Sequence, residues 1–207
     1  MENPWLNIPL ADYEGHMGSE EVQQSGVLAD LFAEALALRR PQSVAILGIA
    51  GGNGLARIDA NVTTRIVGLD VNPPYLETVR QRYSHLPGLE LHCVDLTEAL
   101  VDLQPVQLVH AALVFEHAGV GRCLENALSL IAPAGALSVV LQLPSETEAA
   151  VSASRFPSMQ NLKSHFSFIN RAWLRETLEA RQFHLIDQTR RSLPAGKAFW
   201  MGIFCRV

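Results

Sequence analysis

The stretch Val44-Ala-Ile-Leu-Gly-Ile-Ala-Gly-Gly-Asn-Gly54 constrains this chain more than any other. A short apolar run opens into a loop with glycines at 48, 51, 52 and 54. A second apolar run follows and ends in an acid, Ile66-Val-Gly-Leu-Asp70. Strand, glycine loop, helix, strand, acid is the order in which α/β proteins hold an adenosine-bearing cofactor. Glycine has no Cβ, so its backbone approaches a ligand closely and takes positive φ. An acid at the tip of the second strand accepts hydrogen bonds from ribose hydroxyls.

The rest of the chain extends the same alternation. Leu28, Leu31, Phe32, Ala35 and Leu36 form one apolar stripe at helical spacing, with Ser19 as the expected cap and Pro41 as the stop. Residues 1–18 read as irregular. Strands are expected at Val44–Leu47, Arg65–Leu69, Leu89–Val94, Val106–Ala112 and Ala136–Leu143, and Asn72 before Pro73 reads as a helix start. Asn170 caps a last helix, Arg171–Ala180. Two final strands, Phe183–Ser192 and Ala198–Arg206, flank the turn Pro194-Ala-Gly-Lys197 and pair antiparallel. The fold class is therefore α/β: a doubly wound, mostly parallel sheet with an antiparallel C-terminal hairpin. One domain spans residues 1–207, with 1–40 as an N-terminal cap segment and helix. Residues 144–168 carry no period and read as a lid.

The chain has 207 residues, 48% of them hydrophobic, and a net charge of −5. That balance speaks against nucleic acid as the main partner, since phosphate binding shows as a basic field. Arg171, Arg175 and Arg181, and the pair Arg190-Arg191, read as solvated faces. Cys93, Cys123 and Cys205 are far apart and odd in number, so buried reduced thiols are expected. The first residues lack a secretion signal, and no apolar run approaches the ~18–20 residues of a membrane span. A cytoplasmic protein that does not engage a membrane is the expectation. His85, His92, His110 and His184 read as structural, and no histidine or acid cluster has metal-ligand spacing, so no metal is expected.

The ordered motifs resemble those of class I S-adenosylmethionine-dependent methyltransferases, over residues 43–207. The resemblance implies a seven-stranded Rossmann-like methyltransferase fold, S-adenosylmethionine as cofactor, and methyl transfer to a small-molecule acceptor. It implies that Gly48, Ile49, Ala50, Gly51 and Gly54 surround the methionine part. Asp70 is the ribose acid and Val71 packs on adenine. Asp95 and Leu96 lie near the adenine amino group. Leu113–His117, after the fourth strand, border the transferable methyl, and Ala112 and Leu113 belong to the cofactor-binding set. Nicotinamide-binding loops usually read GxGxxG, and here Gly52-Asn-Gly54 continues into Leu-Ala-Arg57. An NAD-dependent oxidoreductase is the less favoured class for that reason. A non-catalytic adenosylmethionine-binding or interaction domain of the same fold is the alternative to the enzyme.

Two features depart from the family pattern. Family members often carry an acid two residues before the first glycine, where this chain has Ile46. The methionine ammonium then needs other acceptors, with the Gly48 or Ala112 carbonyl or Glu14 as candidates. Asn72-Pro-Pro-Tyr75 matches a motif that holds target nitrogens in amino-methyltransferases, yet it follows the second strand instead of the fourth. A capped helix start accounts for it.

Glu116 and His117 follow the fourth strand, where a general base would belong; a packing role is the alternative for each. Tyr13, Glu14 and His16 form a dense polar cluster ahead of the first long helix. Tyr13, His16 and His165 are the candidate acceptor-binding residues, with Phe166 and Phe168 beside the last. The acceptor atom is not readable, and a homodimer stays open.

Overall fold

The computed structural model describes residues 3–98, 100–145, 149–194 and 196–206. Part of the expected lid (146–148) and Ala195 of the hairpin turn lie outside the described residues. Seven strands form one sheet: β1 Ser43–Leu47, β2 Arg65–Asp70, β3 Leu89–Cys93, β4 Val106–Ala112, β5 Ile131–Gln142, β6 Phe183–Ser192 and β7 Ala198–Arg206. Their order is β3-β2-β1-β4-β5-β7-β6. Strands β1 to β5 pair in parallel, and β7 runs antiparallel to both β5 and β6. The order reverses between β1 and β4, which creates a crevice above their carboxyl ends.

The sheet is apolar on both faces because both are covered. On one face Phe32, Leu36, Leu76 and Val79 pack against Val44, Ile66 and Leu108. They come from the helices α2, Gln24–Arg39, and α3, Pro73–Arg82. On the other face Leu124, Ala127, Leu174 and Leu178 cover Val109, Leu137 and Phe204. Those come from α5, Gly121–Ser129, and α6, Arg171–Glu179; a single turn, α4 Phe115–Ala118, precedes α5. Asn72 and Asn170 each accept a backbone N–H three residues on, from Tyr75 and Trp173, and so start α3 and α6. Asn72-Pro-Pro-Tyr75 is thus a helix start, and the Tyr75 hydroxyl donates to the Ile8 carbonyl at 2.8 Å. Among the described residues, no helix is long and apolar enough to cross a membrane.

The N-terminal segment departs from expectation. The described part of 1–18 is not irregular: Pro4–Asn7 forms a 3-10 turn and Leu10–Met17 a helix, α1. Ser19 caps nothing; α2 begins at Gln24, after Gln23 in the left-handed region at φ 49°. The link 18–23 instead closes on itself, with Val22 and Gln23 donating to the Ser19 carbonyl. Cys93 is exposed, because β3 is the outer strand of the sheet. β5 starts earlier than expected, since Ile131 already pairs with Val106. His110 is buried against Phe32, with Nδ1 3.0 Å from the Ser138 hydroxyl.

Candidate functional site

A cavity of about 630 Å³ lies over the carboxyl ends of β1, β2, β3 and β4. Four chain segments that are distant in sequence meet in its wall: Gly48 and Ala50, Asp70 and Val71, Asp95 and Leu96, Ala112 to Val114. The strand tips converge here because a parallel sheet points all its carboxyl ends one way. Gly48 (φ 65°), Ala50 (φ 47°) and Leu113 (φ 57°) are all left-handed and all line the cavity. Such a conformation in Ala and Leu costs about 1–2 kcal/mol and clusters at functional sites. Neither residue type announces it in a sequence.

Asp70 ends β2 with its carboxylate held from two sides. Oδ2 accepts the Ala50 N–H at 2.8 Å and Oδ1 the Asn72 N–H at 2.9 Å. Burial pushes its pKa above the usual range, and the backbone N–H bonds from Asn72, Ala50 and Val71 oppose that. Each oxygen retains lone-pair capacity for a further donor. Asp95 is tied to Thr97 through Oδ1 and to the Asn3 amide through Oδ2 at 2.8 Å. These hydrogen bonds hold its pKa below the ordinary value against the opposing effect of burial.

The N-terminal segment crosses this rim as a strap. Besides the Asn3 contact, the Trp5 carbonyl accepts from the Asn72 side chain at 2.8 Å. The Trp5 ring lies against Tyr13 and His117. Phe166 closes the other side of His117, 5.3 Å between centroids. Burial between these rings, with the charge of His165, lowers the His117 pKa to about 4. His117 is therefore neutral at pH 7. Its Nδ1 is buried without a hydrogen-bond partner among the described residues.

Glu116 points elsewhere. It does not line the cavity; its Oε1 accepts the Gln142 N–H at 2.8 Å, and its carbonyl accepts from Ser167. Its Oε2 is buried without a partner among the described residues, and burial raises its pKa to about 7. It joins α4 to the end of β5 and to the segment before α6.

Of the other residues singled out from sequence, Tyr13, His16 and His165 all line the cavity. Ile49, Gly51 and Gly54 stand behind the wall. Ile49 packs toward Gly68, Gly51 faces Glu14, and Gly54 faces Phe32. Glu14 is not in the cavity wall; Arg82 holds its carboxylate in a two-pronged pair, with one contact of 3.0 Å. Several wall residues carried no sequence signal: Trp5, Gln24, Gln142, Met159, Leu162 and Lys197. Lys197 reads as part of a turn, yet it is 3% exposed and donates to the Ala150 carbonyl.

No family model matches the chain, and no curated protein matches it. Solved structures do. Magnesium protoporphyrin IX methyltransferase (ChlM) from Synechocystis PCC 6803, with bound SAM, is similar at TM-score 0.71 and 10% identity. The match covers 100% of this chain and 98% of that one. The 1,6-didemethyltoxoflavin-N1-methyltransferase of Burkholderia thailandensis, with its substrate and S-adenosylhomocysteine, matches at TM-score 0.67 and 18% identity. That match covers 95% of this chain and 84% of the other. The [4+2]-cyclase SpnF also matches, at TM-score 0.66 and 16% identity, over 89% and 82% of the two chains. Different chemistries thus share the architecture, so the likeness speaks for fold. The chain has the doubly wound, seven-stranded fold of these methyltransferases, with its antiparallel terminal hairpin.

Proposed function

We propose that this chain binds S-adenosylmethionine in the cavity and transfers its methyl group to a small-molecule acceptor. One observation carries the reading: the four segments at 48–50, 70–71, 95–96 and 112–114 meet in one cavity wall at the strand-order reversal.

The donor set fits the cofactor. Asp70 keeps acceptor capacity for two hydroxyls, and Val71 and Leu96 offer apolar flanks beside Asp95. Gly48 and Ala50 would border the methionine part. Bound there, S-adenosylmethionine supplies an electrophilic methyl group on a sulfonium. The chain's own contribution is to orient the acceptor and to exclude water. Orientation alone accounts for up to ~7–11 kcal/mol of acceleration in favourable cases. Trp5, Phe166, Met159 and Leu162 add to the apolar part of the wall. In this reading the segments 1–40 and 144–168 serve as cap and lid.

His117 is the general base in this reading, for an acceptor that carries a proton. A neutral imidazole in the cavity wall has a lone pair to take it; with a pKa of about 4 it is a weak base, suited to a proton that becomes acidic as the new bond to the acceptor forms. Glu116 acts by position, holding the turn that carries His117. Tyr13, His16 and His165 are available to an acceptor. A domain that binds the cofactor without transferring methyl is the competing reading.

Calorimetric titration with S-adenosylmethionine, S-adenosylhomocysteine and NAD tests the proposal. Binding of the first two and not of NAD is expected; NAD binding without either would overturn it. With an acceptor in hand, His117→Ala should cut turnover about a hundredfold or more and leave S-adenosylhomocysteine affinity nearly unchanged. Unchanged turnover would leave His117 a packing role.

A further inference from the structure

The apolar Ile46 at the end of β1 leaves the strand tip without a charged group for the amino-acid end of the cofactor. Glu14 is held by Arg82 outside the cavity wall, so it does not fill that role. The corner between α1 and α2 offers an alternative. It sits directly on the glycine loop: Glu14 packs against Gly51, and the Asn53 side chain donates to the Ser25 carbonyl at 2.9 Å. Two polar side chains of this corner line the cavity together with Gly48 and Ala50. They are His16 and Gln24, each 5% exposed. Neither side chain makes a hydrogen bond to any described residue.

Their polar atoms open into the cavity and spend no hydrogen bond on a described side chain or backbone group, so that capacity is available to what occupies the cavity. Two such side chains at one corner of the wall, beside Gly48 and Ala50, point to a ligand that bonds to both. The other ends of the cavity have different chemistry. The rim at Asp70 and Asp95 is acidic, and the face at Trp5, His117 and Phe166 is aromatic. We infer that His16 and Gln24 recognise the zwitterionic amino-acid end of the cofactor, in place of an acid at position 46. The inference rests on the cofactor reading above.

The donor chemistry matches. An ammonium needs acceptors, and a carboxylate beside it needs donors. Gln24 carries both on one amide. His16 does so as well while neutral, one ring nitrogen donating and the other accepting. Burial and the charge of Lys197 lower the His16 pKa, so the ring is neutral at pH 7. Gln23, just before Gln24, is held at φ 49°, a strained conformation that turns the chain into α2 at this point.

The test compares S-adenosylhomocysteine with 5′-methylthioadenosine, which has the adenosine and the sulfur but lacks the amino-acid end. Isothermal titration of the whole protein gives both affinities. The wild type should bind S-adenosylhomocysteine about tenfold or more tightly than methylthioadenosine. Gln24→Met and His16→Leu should each weaken S-adenosylhomocysteine about tenfold or more and leave methylthioadenosine nearly unchanged. Unchanged S-adenosylhomocysteine affinity in both variants, or equal loss for the two ligands, would overturn the assignment. Where thermal unfolding shows that a variant has not folded, the wild-type ratio decides, and a ratio near one overturns it. A wild type that binds neither ligand would instead remove the cofactor reading, and this inference with it.

Discussion

The indole of Trp5 stands edge-on to the imidazole of His117, 5.1 Å between centroids and 87° between planes. Two residues 112 positions apart in sequence thus share one wall of the cavity, and the indole is one of the groups that bury the imidazole. Removing the indole opens His117 to water and relieves the burial that disfavours its charged form. In Trp5→Ala the His117 pKa should rise from about 4 toward the ordinary 6.5. An NMR titration of the imidazole resonances checks this; an unmoved pKa would mean that Phe166 and the strand tips do the burying.

Asp70 joins the glycine loop to β2 through the Ala50 N–H and to α3 through the Asn72 N–H. Asp70→Ala leaves both donors without their partner and should cost about 1–3 kcal/mol of stability. S-adenosylhomocysteine affinity should fall about tenfold or more, because the ribose hydroxyls lose a charged acceptor. Calorimetry below the unfolding temperature separates the two effects, and unchanged affinity would take Asp70 out of the site.

Glu116 predicts a pH dependence of stability. Burial raises its folded pKa to about 7 from 4.5, so the unfolded chain releases this proton first. Its contribution is fully present below pH 4.5 and is lost as pH rises through about 7. The loss is on the order of 3 kcal/mol. Glu116→Gln keeps the acceptor for the Gln142 N–H and removes the ionisation. Urea unfolding at pH 5 and pH 8 should show a smaller difference between the two pH values in the variant than in the wild type. An equal difference would place the pH dependence on other groups.

Gly48 has φ 65°, and a Cβ there would come within 2.7 Å of Val114 Cγ2. Gly48→Ala combines a strained backbone with a clash and should cost about 2 kcal/mol or more. The displaced Val114 borders the cavity, so S-adenosylhomocysteine affinity should fall with stability. Thermal unfolding at unchanged Tm would show that the loop relaxes freely.

The Glu14–Arg82 pair is about 40% exposed on both sides. Exposed pairs contribute about 0–1 kcal/mol. Glu14→Gln should therefore change stability little, and it should leave S-adenosylhomocysteine affinity unchanged because the carboxylate faces Arg82. A large loss of affinity would return Glu14 to the list of ammonium partners.

Strands, helix starts and sheet class were legible in the residues because their signals are local. Val106–Ala112, Phe183–Ser192 and Ala198–Arg206 run where the apolar and β-branched patterns put them. Asn72 and Asn170 cap the helices that follow them, since a cap needs only the next three residues. Ser19 carried the same local signal and failed. The link 18–23 forms its own turn, α1 packs against α2 across it, and α2 begins at Gln24. Cys93 looked buried by its apolar neighbours, but burial depends on where its strand lies in the sheet, which is a property of the whole fold.

By itself, the sequence determined the alternation of strands and helices, the two strand-tip acids, and the glycine loop between them. Period, capping and chain stiffness act over a few residues, so they can be read there. Only the tertiary structure decided which loop residues face the cavity: Gly48 and Ala50 do, while Gly51 and Gly54 pack behind them against Glu14 and Phe32. It alone brought Trp5 onto His117, turned Glu116 toward Gln142, and set His16 and Gln24 beside the loop. Those relationships join residues far apart in the chain. They exist because burying the N-terminal segment over the strand tips is favourable, and no local pattern encodes that.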